Sequence, residues 1–583
     1  MSTTDVQSGK SSVVEKYLLR DVIPADVDLE LDHYPELLRH LLYHRGLKDA
    51  QAADYFLNPD YERDLHDPYL LPEMEKAVDR ILAAIEKKEK IIIYSDYDTD
   101  GIPGGVLLHD FFKKIGYTNF LNYIPHRHEE GYGLHLEAVE ELAKNGAKLL
   151  ITLDCGITDV KEIEKASELG IDVIVTDHHE PGPVLPKAFA IVNPKVGDHS
   201  YPFKELCGCG VAFKLIQAII KKNNFGIKEG IEKWFLDMVG IATLSDMVPL
   251  VGENRALAHF GLKVLRKTPR VGLVKLLGKL KINQRYITED DIGFMISPRI
   301  NAASRMDEPM QAFNLLATDD ELQADALADH LNLINDQRKG YVASIVKEIK
   351  KNMEARQARG NIKKVIVMGD PKWRPALLGL AANNLVEEHG LPVFLWGREG
   401  GEFIKGSCRS PDGVNIMEIM EFARPSFVDF GGHHSSGGFT VSHEVIHLLE
   451  DALNNAYESF EKAPLVRAQI CIDKKMLLDD VHWKTFDSID KLAPFGVGNP
   501  KPIFLFENIE ISNVKLFGKE ANHLELSFQN SNAKVVKAIG FFTTDTSYGN
   551  RLEAGNKINL VASFEKSMFR NFPELRLRII DVI

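Results

Sequence analysis

At 583 residues, of which 44% are hydrophobic and 26% charged, the chain exceeds what one hydrophobic core can organise and should divide into roughly three or four domains. Five cysteines, an odd number spread along a long chain, exclude a disulfide framework. The polar start MSTTDVQSGKSS offers no apolar core for a secretory signal, and no apolar run reaches the ~18 residues of a membrane span. The expectation is a soluble protein of a reducing, cytoplasmic compartment. A formal charge of −14 speaks mildly against a general nucleic-acid binder, because phosphate recognition leaves a basic footprint; acids gathered as cation ligands would reverse that field locally.

In chain order, Leu37–Leu57 and Met74–Lys88 carry helix-period apolar residues around a Pro-containing loop, Asn58–Pro72. From Lys90 short apolar runs alternate with amphipathic stretches. Ile91–Tyr94, Lys148–Leu153, Asp172–Thr176 and Phe189–Val192 read as strands, with helices such as Lys161–Leu169 between them. That repetition predicts a mainly parallel sheet covered on both faces. Helices dominate from Val211 to about Leu280, and Asp319–Arg359 reads as one long charged helix, a solvated connector rather than a DNA clamp. A second α/β unit follows: strand Lys364–Met368, helix Ala376–Glu388, strands Pro392–Trp396 and Phe403–Arg409, and a helix from Val441. Beyond Pro464 the pattern is all strand, in Ile503–Val514, His523–Phe528, Val535–Phe541, Ile558–Phe564 and Leu575–Val582, which suits a small barrel of the OB type.

Three of the predicted strands end in aspartate. IIIYSD reaches Asp96, with Asp98 and Asp100 following; LLITLD reaches Asp154; VIVTD reaches Asp177. The carboxyl ends of an open parallel sheet face one crevice, so these acids should converge there. Oxygen ligands joined by His178 and His179 suit Mn²⁺ or Mg²⁺ better than zinc, which favours more sulfur and nitrogen. A single acidic turn is ordinarily a helix cap or turn initiator; its repetition at successive strand ends is what argues for a metal site. DYDTDG also satisfies the first half of an EF-hand loop, but the twelfth position is Leu107 rather than a bidentate Glu, and a strand precedes it. Asp246, in TLSDMVPL after the apolar helix Trp234–Leu244, reads by itself as a helix-terminal loop residue.

The runs YSDYDTDG, LDCGIT, TDHHE and SDMVPL, in this order and at this spacing, resemble the four motifs of the DHH phosphoesterases, named for the Asp-His-His triplet that stands here at 177–179. HRGLKDAQAADYFLNPD, DPYLLPEMEKAVDRI, SPRINAASRM, GSCRS, GGHHSSGGF and LAPFGVGNPKPIF are more particular to the RecJ exonucleases within that superfamily. The resemblance implies an α/β protein. An N-terminal helical segment at 1–75 would precede a parallel-sheet DHH phosphoesterase domain at 76–330. A connecting helix at 331–350, a second α/β, DHH-associated domain at 351–462 and an OB-like β-barrel at 463–583 would follow.

It also implies two divalent ions, Mn²⁺ or Mg²⁺, held by Asp98, Asp100, Asp154, His178 and Asp246. Asp154 would bridge them, and Asp96 would lie beside them as a ligand or an outer group. Asp177 would orient an imidazole, and His179 would face the scissile phosphate as charge stabiliser or leaving-group acid. In the DHH-associated domain the glycine-rich loop GGHHSSGGF would let the backbone approach a phosphate. Gly432 and His433 there, with Ser407, Arg409, Arg299 and Arg305, would bind phosphate.

The activity so implied is that of a metal-dependent 5′ to 3′ exonuclease that hydrolyses single-stranded DNA to mononucleotides in recombination and repair. It would act as a monomer away from membranes, with a single-strand-binding protein or helicase as further partners. One rival is a DHH phosphodiesterase acting on short RNA or cyclic dinucleotides, disfavoured because those relatives lack a terminal barrel. The other is a catalytically inactive replication scaffold, disfavoured because all four motifs keep their acids. The chain departs from the RecJ pattern at Ser435, Ser436 and Gly437, where alanines are usual, and at Arg374, where a histidine usually follows the tryptophan. Cys207 and Cys209 lack a second pair at zinc spacing and read as buried thiols, as does Cys155; Trp234, Trp373, Trp396 and Trp483 sit in apolar contexts and read as core.

Overall fold

A computed structural model describes residues 17–197, 200–358, 363–398, 403–460, 470–568 and 572–583. The polar N-terminus and residues 461–469, where the barrel is expected to begin, lie outside them. The described residues fall into two compact units.

The larger unit takes in Tyr17–Ser304, Glu308–Asp329 and Cys471–Ile583. Its centre is a sheet of five parallel strands, Lys90–Ser95, Phe120–Tyr123, Ala147–Leu153, Asp172–Thr176 and Ala190–Val192, ordered in space second, first, third, fourth, fifth. Ile91 to Tyr94 and Leu149 to Ile151 are fully buried, as strands covered on both faces require. Ile92, Tyr94, Leu150, Val173 and Val175 pack in one core with residues of helices Leu136–Lys144 and Val160–Glu168. Helices Gly101–Lys114 and Gly208–Lys222 also contact the sheet. Strand Phe120–Tyr123 escapes the sequence pattern because it is a short, half-exposed edge strand containing Asn122.

The single helix predicted over Leu37–Leu57 is two, Glu36–Tyr43 and Ala50–Leu57. Gly46, at φ +81°, ends the first, with Gly46 N donating to Tyr43 O and Leu47 N to Leu42 O. Asp49 starts the second by accepting from Ala52 N at 2.8 Å.

Residues 504–568 and 572–582 form the expected barrel. Phe504–Phe517, His523–Gln529 and Val535–Phe541 make a meander, and Glu574–Val582 lies parallel to the third strand and antiparallel to Lys557–Ser567, which closes on the first. Phe504, Phe506, Leu526, Phe528 and Leu560 fill the interior, in one continuous core with Leu38, Leu41 and Leu42 of helix Glu36–Tyr43. The N-terminal helices therefore share the barrel's core.

The smaller unit includes Arg305–Asp307 and His330–Ile470. Its sheet runs Asp429–His433, Ser436–Val441, Ile404–Arg409, Val393–Gly397, Ile366–Gly369, parallel only at the last pair. GGHHSSGGF is thus a β-hairpin with His434–Ser435 at its tip, not a loop. The helix expected from Val441 starts at Leu449, because Val441 still pairs with Ile404 in the sheet. The long helix is present as Glu321–Ala358.

No described helix is long and apolar enough to cross a membrane. Trp373 is buried, but Trp234 and Trp483 are 45% and 41% exposed, against the expectation of core positions. Lys267 Nζ stands 5.6 Å from the centroid of Trp234, a surface cation–π contact.

Candidate metal centre

In the sheet order second-first-third, the strands ending at Ser95 and Leu153 flank the point where the strand order reverses, the place where open parallel sheets form their crevice. Asp96 and Asp154 are the first residues past these two strands, and Asp177 follows the next. Asp246 arrives from the end of helix Leu236–Ser245. Three triads result, Asp154–His178–His179, Asp100–His178–Asp246 and Asp96–Asp98–Asp154, in each of which the potential ligand atoms lie within 4.8 Å of one another.

His178 Nε2 is 3.1 Å from Asp154 Oδ1, 3.7 Å from Asp100 Oδ2 and 3.8 Å from Asp246 Oδ2. Asp154, at φ +63°, belongs to two of the triads. Its close surroundings depend on one glycine: a Cβ on Gly208 would stand 2.6 Å from Asp154 Cβ.

Not every acid is equally available. Both oxygens of Asp100 accept from backbone amides at the start of helix Gly208–Lys222, Oδ2 from Gly208 N at 2.6 Å and Oδ1 from Cys209 N at 2.8 Å. Asp98 Oδ1 accepts from Asp100 N and Gly101 N. Asp177 is wholly engaged: Oδ1 accepts from His178 N and His179 N and stands 2.8 Å from His179 Nδ1, while Oδ2 accepts from Ile157 N. Burial alone would raise the Asp177 carboxyl; these contacts outweigh it and hold it below the usual range. Asp177 therefore orients His179 and braces the loop after strand Ala147–Leu153.

The remaining acids crowd together, and among the described residues the ion-pair partners of Asp154 and Asp246 are the imidazoles of His178 and His179. Burial, then repulsion from neighbouring carboxylates, pushes Asp96 and Asp154 well above the carboxylate range and Asp246 up to about 9. Asp96 Oδ1, Asp154 Oδ1 and His178 Nε2 are buried without a well-formed hydrogen bond. Such orphaned acceptors cost free energy unless a ligand satisfies them. Burial also lowers His178, favouring the neutral imidazole that ligates metal. The donor set thus fits divalent cations with oxygen preference.

Several neighbours escape the sequence reading. Tyr132 Oη donates to Asp154 O at 3.1 Å and lies 3.2 Å from His179 Nδ1. Arg127 stands 4.7 Å from the Tyr97 ring centroid, and its charge favours the ionised Asp96. Both lie in PHRHEEGYG, which follows the edge strand Phe120–Tyr123 that the sequence pattern did not reveal, so no local signal pointed to them. In SPRINAASR, Ser297 and Asn301 reach the metal loops. Asn301 Oδ1 accepts from Thr99 N at 3.1 Å, Ser297 O accepts from Thr99 Oγ1 at 3.3 Å, and Ser297 Oγ bonds Ser245 Oγ. Arg299 is buried and donates to Met295 O at 2.6 Å.

In the smaller unit, Ser436 lies opposite both His433 and Arg409, and Gly438 opposite Ser407. Cross-strand partners share a face, as do alternate residues of one strand, so Ser407, Arg409 and His433 occupy one face of this sheet. Arg409 Nη1 donates to Cys408 O at 2.7 Å. Gly432, on the neighbouring register row, pairs with Gly437. Arg305 donates to Ala376 O at 2.8 Å in the same unit.

Residues 90–243 match the DHH family, N-terminal domain, residues 362–462 the DHHA1 domain, and residues 472–581 the RecJ OB domain. The single-stranded-DNA-specific exonuclease RecJ of Bacillus subtilis is 34% identical over 552 residues, covering 94% of this chain and 68% of that protein. In fold, the chain is similar to RecJ of Thermus thermophilus crystallised with Mn²⁺, with a TM-score of 0.81 at 24% identity, over 97% of this chain and 79% of that one. A crystal structure of exonuclease RecJ bound to manganese matches at 31% identity and a TM-score of 0.58, covering 68% of this chain and 96% of that one. With all three domains in this order and a relative of that identity matched along most of its length, the chain belongs to the RecJ family of single-stranded-DNA-specific exonucleases.

Proposed function

We propose that this protein hydrolyses single-stranded DNA from its 5′ end to mononucleotides, in recombination and repair, at a centre holding two Mn²⁺ or Mg²⁺ ions. The observation that carries the metal reading is the group of buried, unsatisfied ligand atoms on Asp96, Asp154 and His178. Asp96, Asp98 and Asp154 would hold one ion, and Asp154, His178, Asp100 and Asp246 the other, with Asp154 common to both. Bound there, such ions supply positive charge against the charge that develops on the phosphorus oxygens, and lower the pKa of an attacking water.

The chain's own residues do the rest. Asp177 holds His179 by Nδ1, leaving the imidazole to steady or protonate the leaving oxygen. Tyr132 limits how far His179 turns. Ser407, Arg409 and His433, on one sheet face, with Gly432, Arg305 and Arg299, would bind backbone phosphates, the arginines through forked donors. Release of mononucleotides follows from gripping a strand end rather than an internal segment. In this reading the protein acts in the cytoplasm as a monomer, on strands bound by a single-strand-binding protein or opened by a helicase; five free cysteines fit a reducing compartment.

A barrel with OB topology favours a polymer substrate over a dinucleotide. Digestion of end-labelled oligonucleotides, single- and double-stranded, DNA and RNA, with each metal in turn, tests the reading. Successive mononucleotides from the 5′ end of single-stranded DNA are expected; cleavage confined to dinucleotides, or none with any metal, would sink it.

A further inference from the structure

Arg255, Asn254 and Asn499 are 3%, 0% and 0% exposed, yet none of them belongs to the metal cluster. All three donate to backbone carbonyls, Arg255 and Asn499 around one turn and Asn254 on the segment that packs against it. Asn499 Nδ2 donates to Leu492 O at 2.7 Å and to Pro494 O at 2.8 Å, while its Oδ1 accepts from Arg45 Nε at 2.7 Å. Arg255 Nη1 donates to Leu492 O at 2.9 Å, Nη2 to Ala493 O at 3.1 Å and Nε to Phe56 O at 2.7 Å, with the guanidinium 3.7 Å from the Phe56 ring centroid. Gly496 and Asn499 exchange backbone hydrogen bonds of 2.9 and 3.1 Å. Buried donors satisfied this completely specify one backbone arrangement, because every alternative leaves a charge or an amide unpaired.

The outer edge of this turn lies against the segment that follows Asp246. Leu250 N donates to Val497 O at 2.7 Å. A methyl on Gly496 would stand 2.8 Å from Leu250 Cδ1, and one on Gly498 3.3 Å from Pro249 Cβ. From the other side Asn254 Nδ2 donates to Pro249 O at 3.2 Å and also to Glu205 O, three residues before the amide that holds Asp100. Between Asp246 and Pro249, Met247 sits at φ +63°, a conformation that a non-glycine residue keeps only where its surroundings hold it.

We propose that the 492–499 turn, at the entrance to the barrel, is a positioning element of the metal centre: it fixes Pro249–Val251 and, through them, the carboxylate of Asp246. The inference rests on the reading of Asp246 as a metal ligand. The barrel module and the ligand set are then one mechanical assembly, with Asn499, Arg45 and Arg255 as the ties that keep the turn in place.

Titration of the full-length chain with Mn²⁺, following the free ion by electron paramagnetic resonance, tests this. The wild type should take up two ions; if it does not, the metal reading itself fails. Asn499→Asp, which removes both side-chain donors, and Gly496→Ala, which presses on Leu250, should each weaken one of the two ions roughly tenfold and spare the other. Their kcat should fall with KM for a single-stranded oligonucleotide unchanged. Lys501→Ala is the control, since Lys501 pairs with Asp290 rather than with Pro249–Val251, and it should keep both ions. A wild type that binds two ions beside folded variants that bind both with equal affinity would overturn the inference alone. Should Asn499→Asp fail to fold, Gly496→Ala decides, because its one methyl presses on the buried Leu250 side chain while leaving every hydrogen-bonding group of the turn in place.

Discussion

His178 Nε2 faces Asp154 Oδ1 at 3.1 Å, although the two residues leave different strands and neither atom has a well-formed hydrogen bond. The pair marks the middle of the candidate centre, and what surrounds it is mostly negative charge. Metal-free protein should therefore be strained by its own ligand set.

Asp154→Asn isolates that strain. Asn tolerates the φ of +63° that Asp154 adopts, and the change removes a charge opposed by Asp100, Asp98, Asp96 and Asp246. In EDTA the variant is expected to be more stable than wild type by about 0.5–2 kcal/mol. With Mn²⁺ at about a hundred times its Kd, wild type should gain about 2.7 kcal/mol for each ion bound and the variant much less. Hydrolysis should fall to background. Thermal melts with and without metal read this out; a variant less stable than wild type in EDTA contradicts the repulsion.

Lys214 and Glu253 form an ion pair whose side chains are both 0% exposed. Glu253 also accepts from Tyr201 Oη and His66 N, and Lys214 donates to His66 O at 2.7 Å. Lys214→Met strands a buried carboxylate and should cost about 3–5 kcal/mol in urea unfolding. Adding Glu253→Leu should recover part of the loss. A double variant no more stable than the single one would mean that shape, not charge, dominates there.

Asp159 offers a pH test outside the ligand set. Burial, opposed by the amide of Leu134, lifts its carboxyl to about 6. The folded state therefore holds this proton more tightly than the unfolded chain, so the stabilisation is present below about pH 4 and is lost as pH rises to about 6. Asp159→Asn should remove that loss and, above pH 6, exceed wild type by on the order of 2–3 kcal/mol before any allowance for solvent screening. Denaturant midpoints of both proteins at pH 4.5 and 7.5 decide it; a difference that does not grow with pH rules it out.

Arg409→Gln addresses the phosphate face. Loss of one charge-assisted contact of about 1.5–3 kcal/mol should raise KM for single-stranded DNA roughly tenfold to a hundredfold. Mn²⁺ affinity should stay as in wild type. Equal KM values for the two proteins would remove Arg409 from the binding set.

Much of the fold could be read in advance. The buried strands at 91–94, 149–153 and 172–176 announce themselves because strands covered on both faces must be apolar throughout. The barrel strands announce themselves by their spacing. Where the reading failed, a local stop was passed over, Gly46, which ends a helix that periodicity would continue, and a distant contact intervened, the pairing of Val441 with Ile404, which delays another. The GGHHSSGGF segment looked like a loop because glycine hides strand periodicity, whereas its register with Ile404–Arg409 makes it a hairpin.

For the centre, sequence alone determined which acids stand at strand ends, since that depends only on neighbours a few residues away. It did not determine which imidazole Asp177 orients, that Asp177 also holds backbone amides, or that Asp100 is held by the amides of Gly208 and Cys209. Nor did it place Arg127, Tyr132, Ser297 and Asn301 around the cluster. Those assignments belong to tertiary structure, because hydrogen-bond partners far apart in the chain follow no period, and a carboxylate's role is set by which donors reach it first.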